Sequence, residues 1–267
     1  MSRPLDGVRS KIDRAKNHFQ NLHATISTLF ATENDTTTAG HKYEADRQEL
    51  IVTLQKAIPL DPTLPLIVGD CIHNARSALD YLVFQLAILN KAPIISATKT
   101  SFPVYLTPKE FKNAVRNKVA PFISASALAE IEKLQPYATG NARESDILWV
   151  LSQLDIIDKH RLLIVAVSKF RPTAFCVTVP TGEQFAHEIA SDSWKASEDG
   201  AEIIRFYLSQ PIKQPGKVNV EVKTATTLQI ENTGLVCDGM QVEAVLSDCI
   251  QHVVNIIDGF GRLFFNE

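Results

Sequence analysis

No apolar run in this 267-residue chain approaches the roughly 18 to 20 consecutive residues that a membrane span needs. The N-terminus also lacks the apolar h-region of a signal peptide, so the expected compartment is the cytoplasm and no membrane partner is expected. Cysteine is scarce. Cys71, Cys176, Cys237 and Cys249 lie far apart, form no C-x-x-C pair and mostly sit among apolar neighbours. That usage predicts reduced core thiols, and neither disulfides nor a zinc site. An excess of one charge is missing as well, with 27 Lys+Arg against 30 Asp+Glu and a formal net charge of -3. Overall charge therefore gives no reason to expect nucleic acid, although a local patch could bind it. Gly259 and Gly261 fit neither a P-loop nor a dinucleotide fingerprint, and no cofactor is expected.

What is present is an ordinary globular composition, 45% hydrophobic and 21% charged, on a chain long enough to bury a real core. We expect a single α+β domain over residues 1–267, mainly helical over 1–160, with a β-sheet and a C-terminal helix over 161–267. One local departure from charge balance stands at the start, where Arg3, Arg9, Lys11, Arg14 and Lys16 outnumber Asp6 and Asp13. It reads as a solvated helix face or as a basic patch.

Periodicity supplies the elements. Val8, Ile12, Ala15, Phe19, Leu22, Ile26 and Leu29 recur at helical spacing from Leu5 to Phe30, predicting a long amphipathic helix. Glu49 to Lys56 alternates as a strand does. Thr63 as N-cap and Pro65 in the first turn open a second helix that runs to Leu89, where Asn90 and Pro93 stop it. Small helices follow around Pro108 to Lys118 and Ala125 to Leu134, and another from Ser145 to Ile157 leads into a buried strand over Leu162 to Val167. Further strands are predicted around Phe175 to Val179, Glu202 to Leu208 and Val218 to Ile230, and a polar loop over His187 to Gly200. Val242 to Phe260 closes the chain as a helix with i, i+3, i+4, i+7 apolar spacing.

Two polar strings interrupt this scaffold: Gly69-Asp70-Cys71-Ile72-His73-Asn74-Ala75-Arg76-Ser77-Ala78-Leu79-Asp80 and Asp158-Lys159-His160-Arg161. Both put ionisable groups into apolar secondary structure, where an unpartnered charge costs several kcal/mol. On the central helix His73, Arg76 and Asp80 fall within about 60° of one another. Histidine is the side chain suited to proton exchange near neutrality, so His73 and His160 are the acid/base candidates. Asn74, Arg76, Lys159 and Arg161 are the candidates to hold a phosphate or another ligand, and Ser77 could act as a nucleophile only with His73 as its base. Asp80 and Asp158 are expected to orient these groups or to form a structural clamp, with Asp158 meeting Arg76 and Arg161 meeting Asp80; the alternative is an i, i+4 pair of Arg76 with Asp80, the weaker order because it opposes the helix dipole. Asp70, His73, Asp80, Asp155, Asp158 and His160 carry atoms that a divalent cation accepts. No compact metal signature accompanies them, the neighbouring cations would repel the ion, and no metal is expected. Cations in the last turn of a helix also complement its negative end, which accounts for Asp158 to Arg161 without any chemistry.

The string GD-x-x-HN-x-RS-x-LD, followed by F-P, by LQPY and by DKHR, resembles an uncharacterised bacterial protein family carrying the same elements in the same order, over Leu64 to Arg161. A weaker similarity is to HEPN-like helical proteins, many of them metal-independent ribonucleases. Their motif places arginine before histidine, whereas here His73 precedes Arg76. The convergence of His73 and His160 with Arg76, Lys159 and Arg161 points to a nucleic-acid or phosphate-handling protein, with RNA or another phosphate-containing ligand as partner, and the weaker similarity implies a metal-independent nuclease using histidine and arginine. The competing expectation is a non-enzymatic binding or oligomerisation module, a homo-oligomer through its amphipathic helices, in which the same residues form a buried polar network.

Overall fold

The computed structural model describes residues 3–31, 39–54, 61–92, 99–161, 165–178, 184–188, 202–208, 210–212, 214 and 217–267. The first helix, α1, spans Asp6–Ala31. A hairpin follows, of strands β1 (Ala39–Glu44) and β2 (Glu49–Leu54). The long central helix α2 occupies Thr63–Leu89, then come α3 (Pro108–Val115), α4 (Ala125–Lys133), a 3-10 segment (Pro136–Ser145) and α5 (Ile147–His160). Strands β3 (Val165–Thr178), β4 (Gln184–Glu188), β5 (Glu202–Tyr207) and β6 (Asn219–Ile230) precede α6 (Val242–Phe260) and a final π-helical turn, Gly261–Phe265. The fold class is α+β.

The chain divides into two compact units. One comprises Met1–His23, Pro62–Val165 and Ile230–Glu267, the other Ala24–Asp61 and Ala166–Gln229. The first is helical, and its core is the mutual packing of α2, α5 and α6. Helix α2 is sequestered on most of its circumference because it has neighbours on several sides: Val68, Cys71, Ile72, Ala75, Ala78, Leu79, Leu82, Val83 and Leu86 are all buried. Its N-cap is Pro62, without a side-chain cap, so the expected Thr63 cap is displaced by one residue into the helix. The helices α3 and α4 are capped as their sequences suggest, Thr107 Oγ1 accepting from the Glu110 N–H and Ser124 Oγ from the Ala127 N–H.

In the second unit β2 lies between β1 and β5, antiparallel to both. Leu50 and Val218 form its core, with Tyr43, Ile204 and Phe206 packed against them. Arg205 of β5 ties the sheet by bonding Glu49 of β2 at 2.5 Å and Glu202 at 2.7 Å. A separate sheet has the order β4-β3-β6.

Several boundaries differ from the expectation. Strand β2 falls where a strand was expected, but its hairpin partner β1 was not expected in the mainly helical half, and β4 extends into the start of a segment read as loop. Helix α5 is capped at its start by the Asp146 side chain, which accepts from the Leu148 and Trp149 N–H groups, and it does not stop at Ile157 but continues through Asp158, Lys159 and His160 to Arg161 as C-cap. Residues 162–164 of the expected buried strand lie outside the described residues.

Candidate functional site

Helices α2 and α5 meet along a seam that carries both polar strings. Gly69 lets them approach. A Cβ at that position would overlap the Asp158 carboxylate, whose Cγ would lie 2.7 Å away. One helical turn further along each helix, His73 Nδ1 lies 3.0 Å from Asp155 Oδ1, and Lys159 Nζ donates to Asp155 Oδ2 at 2.5 Å. The Asp155 side chain is only 6% exposed, whereas those of His73 and Lys159 are 48% and 49% exposed. A buried carboxylate thus holds two half-exposed groups. An ionised carboxylate only accepts, so the hydrogen bond is made by an Nδ1–H of His73, and in the neutral imidazole Nε2 then keeps its lone pair. Ser77 Oγ, 3.3 Å from Nε2, is placed to donate to it.

Asp158 sits beside this group without a cation of its own among the described residues. Burial raises its carboxyl above the ordinary value, and the neighbouring charges of Asp155 and Asp70 push it the same way. On the other side of the exposed strip of α2 runs α1. Its Lys11 ammonium lies 5.5 Å from the Tyr81 ring centroid, and Cys71 Sγ donates to the Ala15 carbonyl. Arg14 Nε donates to His18 Nε2 at 3.1 Å, and His18 Nδ1 faces Asp70 Oδ2 at 4.0 Å. Asn74 donates to the Asp70 carbonyl one turn back on its own helix. Ser77 and Asn74 therefore lie between Lys11 and Arg14 of α1 and Lys159 of α5.

Arg76 belongs to a different arrangement. Its NH1 donates to Asp80 Oδ1 at 2.6 Å and its NH2 to the Phe102 carbonyl at 2.7 Å, while the Phe102 N–H donates to the same Asp80 oxygen at 2.7 Å. The pair closes around one peptide unit as a clamp. The expected bridges of Asp158 to Arg76 and of Arg161 to Asp80 do not form among the described residues, because the backbone of Phe102 completes the valences of Arg76 and Asp80 within one turn of α2.

The two candidate histidines are not brought to one point either. His160 is exposed at the last residue of α5. It stands five residues from Asp155, about 140° around the helix at 100° per residue. The face of α5 that presents Asp155 to His73 therefore does not present His160. Arg161 is exposed and caps α5 through its own N–H to the Ile157 carbonyl. Asp155 is the residue whose role sequence reasoning missed. The signal was available: a lone carboxylate in the apolar run Leu154-Asp155-Ile156-Ile157, four residues before a lysine, marks a group that must find a partner across the fold.

No family model, curated protein or solved structure matches this chain. Among the described residues, no set of three His, Cys, Asp or Glu side chains converges so that it could hold a metal ion, and no helix is long and apolar enough to cross a membrane. Cys71, Cys237 and Cys249 are free and buried. Burial pushes the Cys71 thiol up to about 12 and the Cys249 thiol upward as well, which disfavours the thiolate in both.

Proposed function

We propose that the strip between α1 and α5 is an acid–base site that cleaves a phosphodiester, with single-stranded RNA as substrate and without a metal ion. The observation that carries this reading is the half-exposed His73 imidazole, oriented by a buried carboxylate and free at Nε2 apart from a replaceable serine hydroxyl. A carboxylate on Nδ1 stabilises the imidazolium that forms when Nε2 takes a proton. RNA supplies its own nucleophile. His73 Nε2 removes the proton of the 2′-hydroxyl, the oxygen attacks phosphorus, the bond to the 5′ oxygen breaks, and the imidazolium returns the proton to that leaving oxygen. The products are a cyclic 2′,3′-phosphate and a free 5′-hydroxyl.

Lys159 shares the Asp155 carboxylate with His73 and takes the Asp155 oxygen that a bound cation would otherwise use. Lys11 and Arg14 add charge along the track of a polynucleotide backbone. In this reading Asn74 contributes a side chain to the strip, Asp158 shapes the seam, and Arg76 and Asp80 are structural. Neither His160 nor Arg161 takes part.

End-labelled single-stranded RNA in EDTA is the direct test. Wild-type protein is expected to release cyclic phosphate ends, and His73→Gln, at a half-exposed position, is expected to fold and to lose about 100-fold or more in rate. Single-stranded DNA, lacking the 2′-hydroxyl, is expected to remain intact. Cleavage that survives His73→Gln, or no cleavage of any RNA, would refute the reading. A second reading, a non-enzymatic module braced by polar contacts, is favoured by the Arg76 clamp, which closes on the backbone and leaves no role for a substrate. It predicts that His73→Gln changes stability alone.

A further inference from the structure

A cleft of about 420 Å³ adjoins the helical seam, walled by Arg76, Trp149, Ile156, Val115 and the segment 101–106. That segment is held as a strand would be, though it has no strand beside it. On one edge the buried Gln135 side chain stands in for a neighbouring strand, Oε1 accepting from the Tyr105 N–H at 3.1 Å and Nε2 donating to the Pro103 carbonyl at 2.9 Å. On the other edge Asp80 and Arg76 take the Phe102 N–H and carbonyl. Hydrogen-bonding groups of an extended chain alternate between its edges residue by residue, so Val104 shares the edge of Phe102. Among the described residues, no hydrogen bond reaches the Val104 N–H or C=O. Val104 lines the cleft together with Arg76, which holds the Phe102 carbonyl on that same edge, whereas Gln135 on the opposite edge is not part of the cleft wall.

We propose that the cleft binds a short extended peptide, which adds as a strand along the Val104 edge and places an apolar side chain against Trp149 and Ile156. An unpaired donor and acceptor on one residue match the acceptor and donor of a peptide unit, and main-chain pairing of this kind supplies affinity while the flanking pocket supplies selectivity. Ile156 is 46% exposed, an apolar surface available to such a side chain. The volume falls in the range of small-ligand pockets, enough for a few residues and not for a folded partner. Lys118 and Glu110, of opposite charge, both line the cleft, so the ligand is a neutral peptide rather than an anion. The proposal is independent of the chemistry at His73.

The test is amide NMR of the isotope-labelled full chain, titrated with the blocked tripeptide acetyl-Ala-Leu-Ala-methylamide. A second titration uses its analogue with an ester in place of the amide whose N–H would meet the Val104 carbonyl. Saturable movement of the Val104 amide and the Trp149 indole resonances is expected, with the ester bound about fivefold to tenfold more weakly for the loss of one hydrogen bond. Ile156→Arg, at an exposed position, is expected to abolish the response without changing the rest of the spectrum. The proposal is overturned if Val104 does not move at millimolar peptide, if Trp149 moves alone, if the ester binds as tightly as the amide, or if Ile156→Arg binds normally.

Discussion

Replacement of Arg76 by methionine separates the structural clamp from a substrate-binding role. Methionine keeps the aliphatic stem and its packing, so the loss is confined to the guanidinium and its two hydrogen bonds. The Arg76 side chain is 10% exposed and Asp80 is 37% exposed, and Phe102 is 1% exposed. The Phe102 carbonyl is then stranded in the interior, at a cost of about 1–3 kcal/mol. Asp80 remains in contact with water and keeps the Phe102 N–H, so its loss of an ion pair adds only about 0–1 kcal/mol. A total of about 1–4 kcal/mol is expected, centred below the roughly 3–5 kcal/mol that follows breakage of a fully buried pair. Urea unfolding followed by circular dichroism measures it as a shift in midpoint at unchanged slope. The double variant Arg76→Met/Asp80→Asn should cost less than the sum of the two single changes, because both act on one peptide unit. A cost for Arg76→Met below about 0.5 kcal/mol, the size of an ordinary surface change, would refute the clamp, as would strict additivity.

Gly69 and Asp158 make a second test in which the sign of the effect reverses. Gly69→Ala alone is expected to lower the melting temperature through collision with the Asp158 carboxylate, but in an Asp158→Ala background it should stabilise by about 1 kcal/mol, the helix preference of alanine over glycine. A stabilising Gly69→Ala in the wild-type background would refute the close approach. Asp158 also predicts a pH dependence. Its raised carboxyl value means that the folded state binds the proton more tightly than the unfolded state, so ionisation at neutral pH opposes folding, and the penalty is lost as pH falls through the folded value. Asp158→Asn should therefore raise the melting temperature at neutral pH, with the gain shrinking on acidification; an equal gain at every pH would contradict the assignment.

The long helices were legible because each shows the one-sided spacing that any globular helix needs, as in α6, where Val242, Val245, Leu246, Cys249 and Val253 are all buried. The central strand β2 was legible for the same reason, its alternation being local. The hairpin partner β1 was not, since its sequence, Ala39–Glu44, has no apolar alternation and is ordered by hydrogen bonding to β2. At the site the sequence identified the residue types and the helix that carries His73, Arg76 and Asp80, and it misjudged their partners.

Local sequence by itself determined where helices form and which of their positions are apolar, because periodicity and capping act within a few residues. It also determined that the charges at positions 73–80 and 158–161 sit on otherwise apolar elements. Only the tertiary structure decided the pairing: Asp155 rather than His160 for His73, and the backbone of Phe102 rather than Asp158 for Arg76. A buried hydrogen bond is satisfied by whichever group the packing of helix faces brings within about 3 Å. That choice depends on how α2 and α5 are rotated and on the course of a segment 26 residues away from Arg76, neither of which is written in the spacing of either helix.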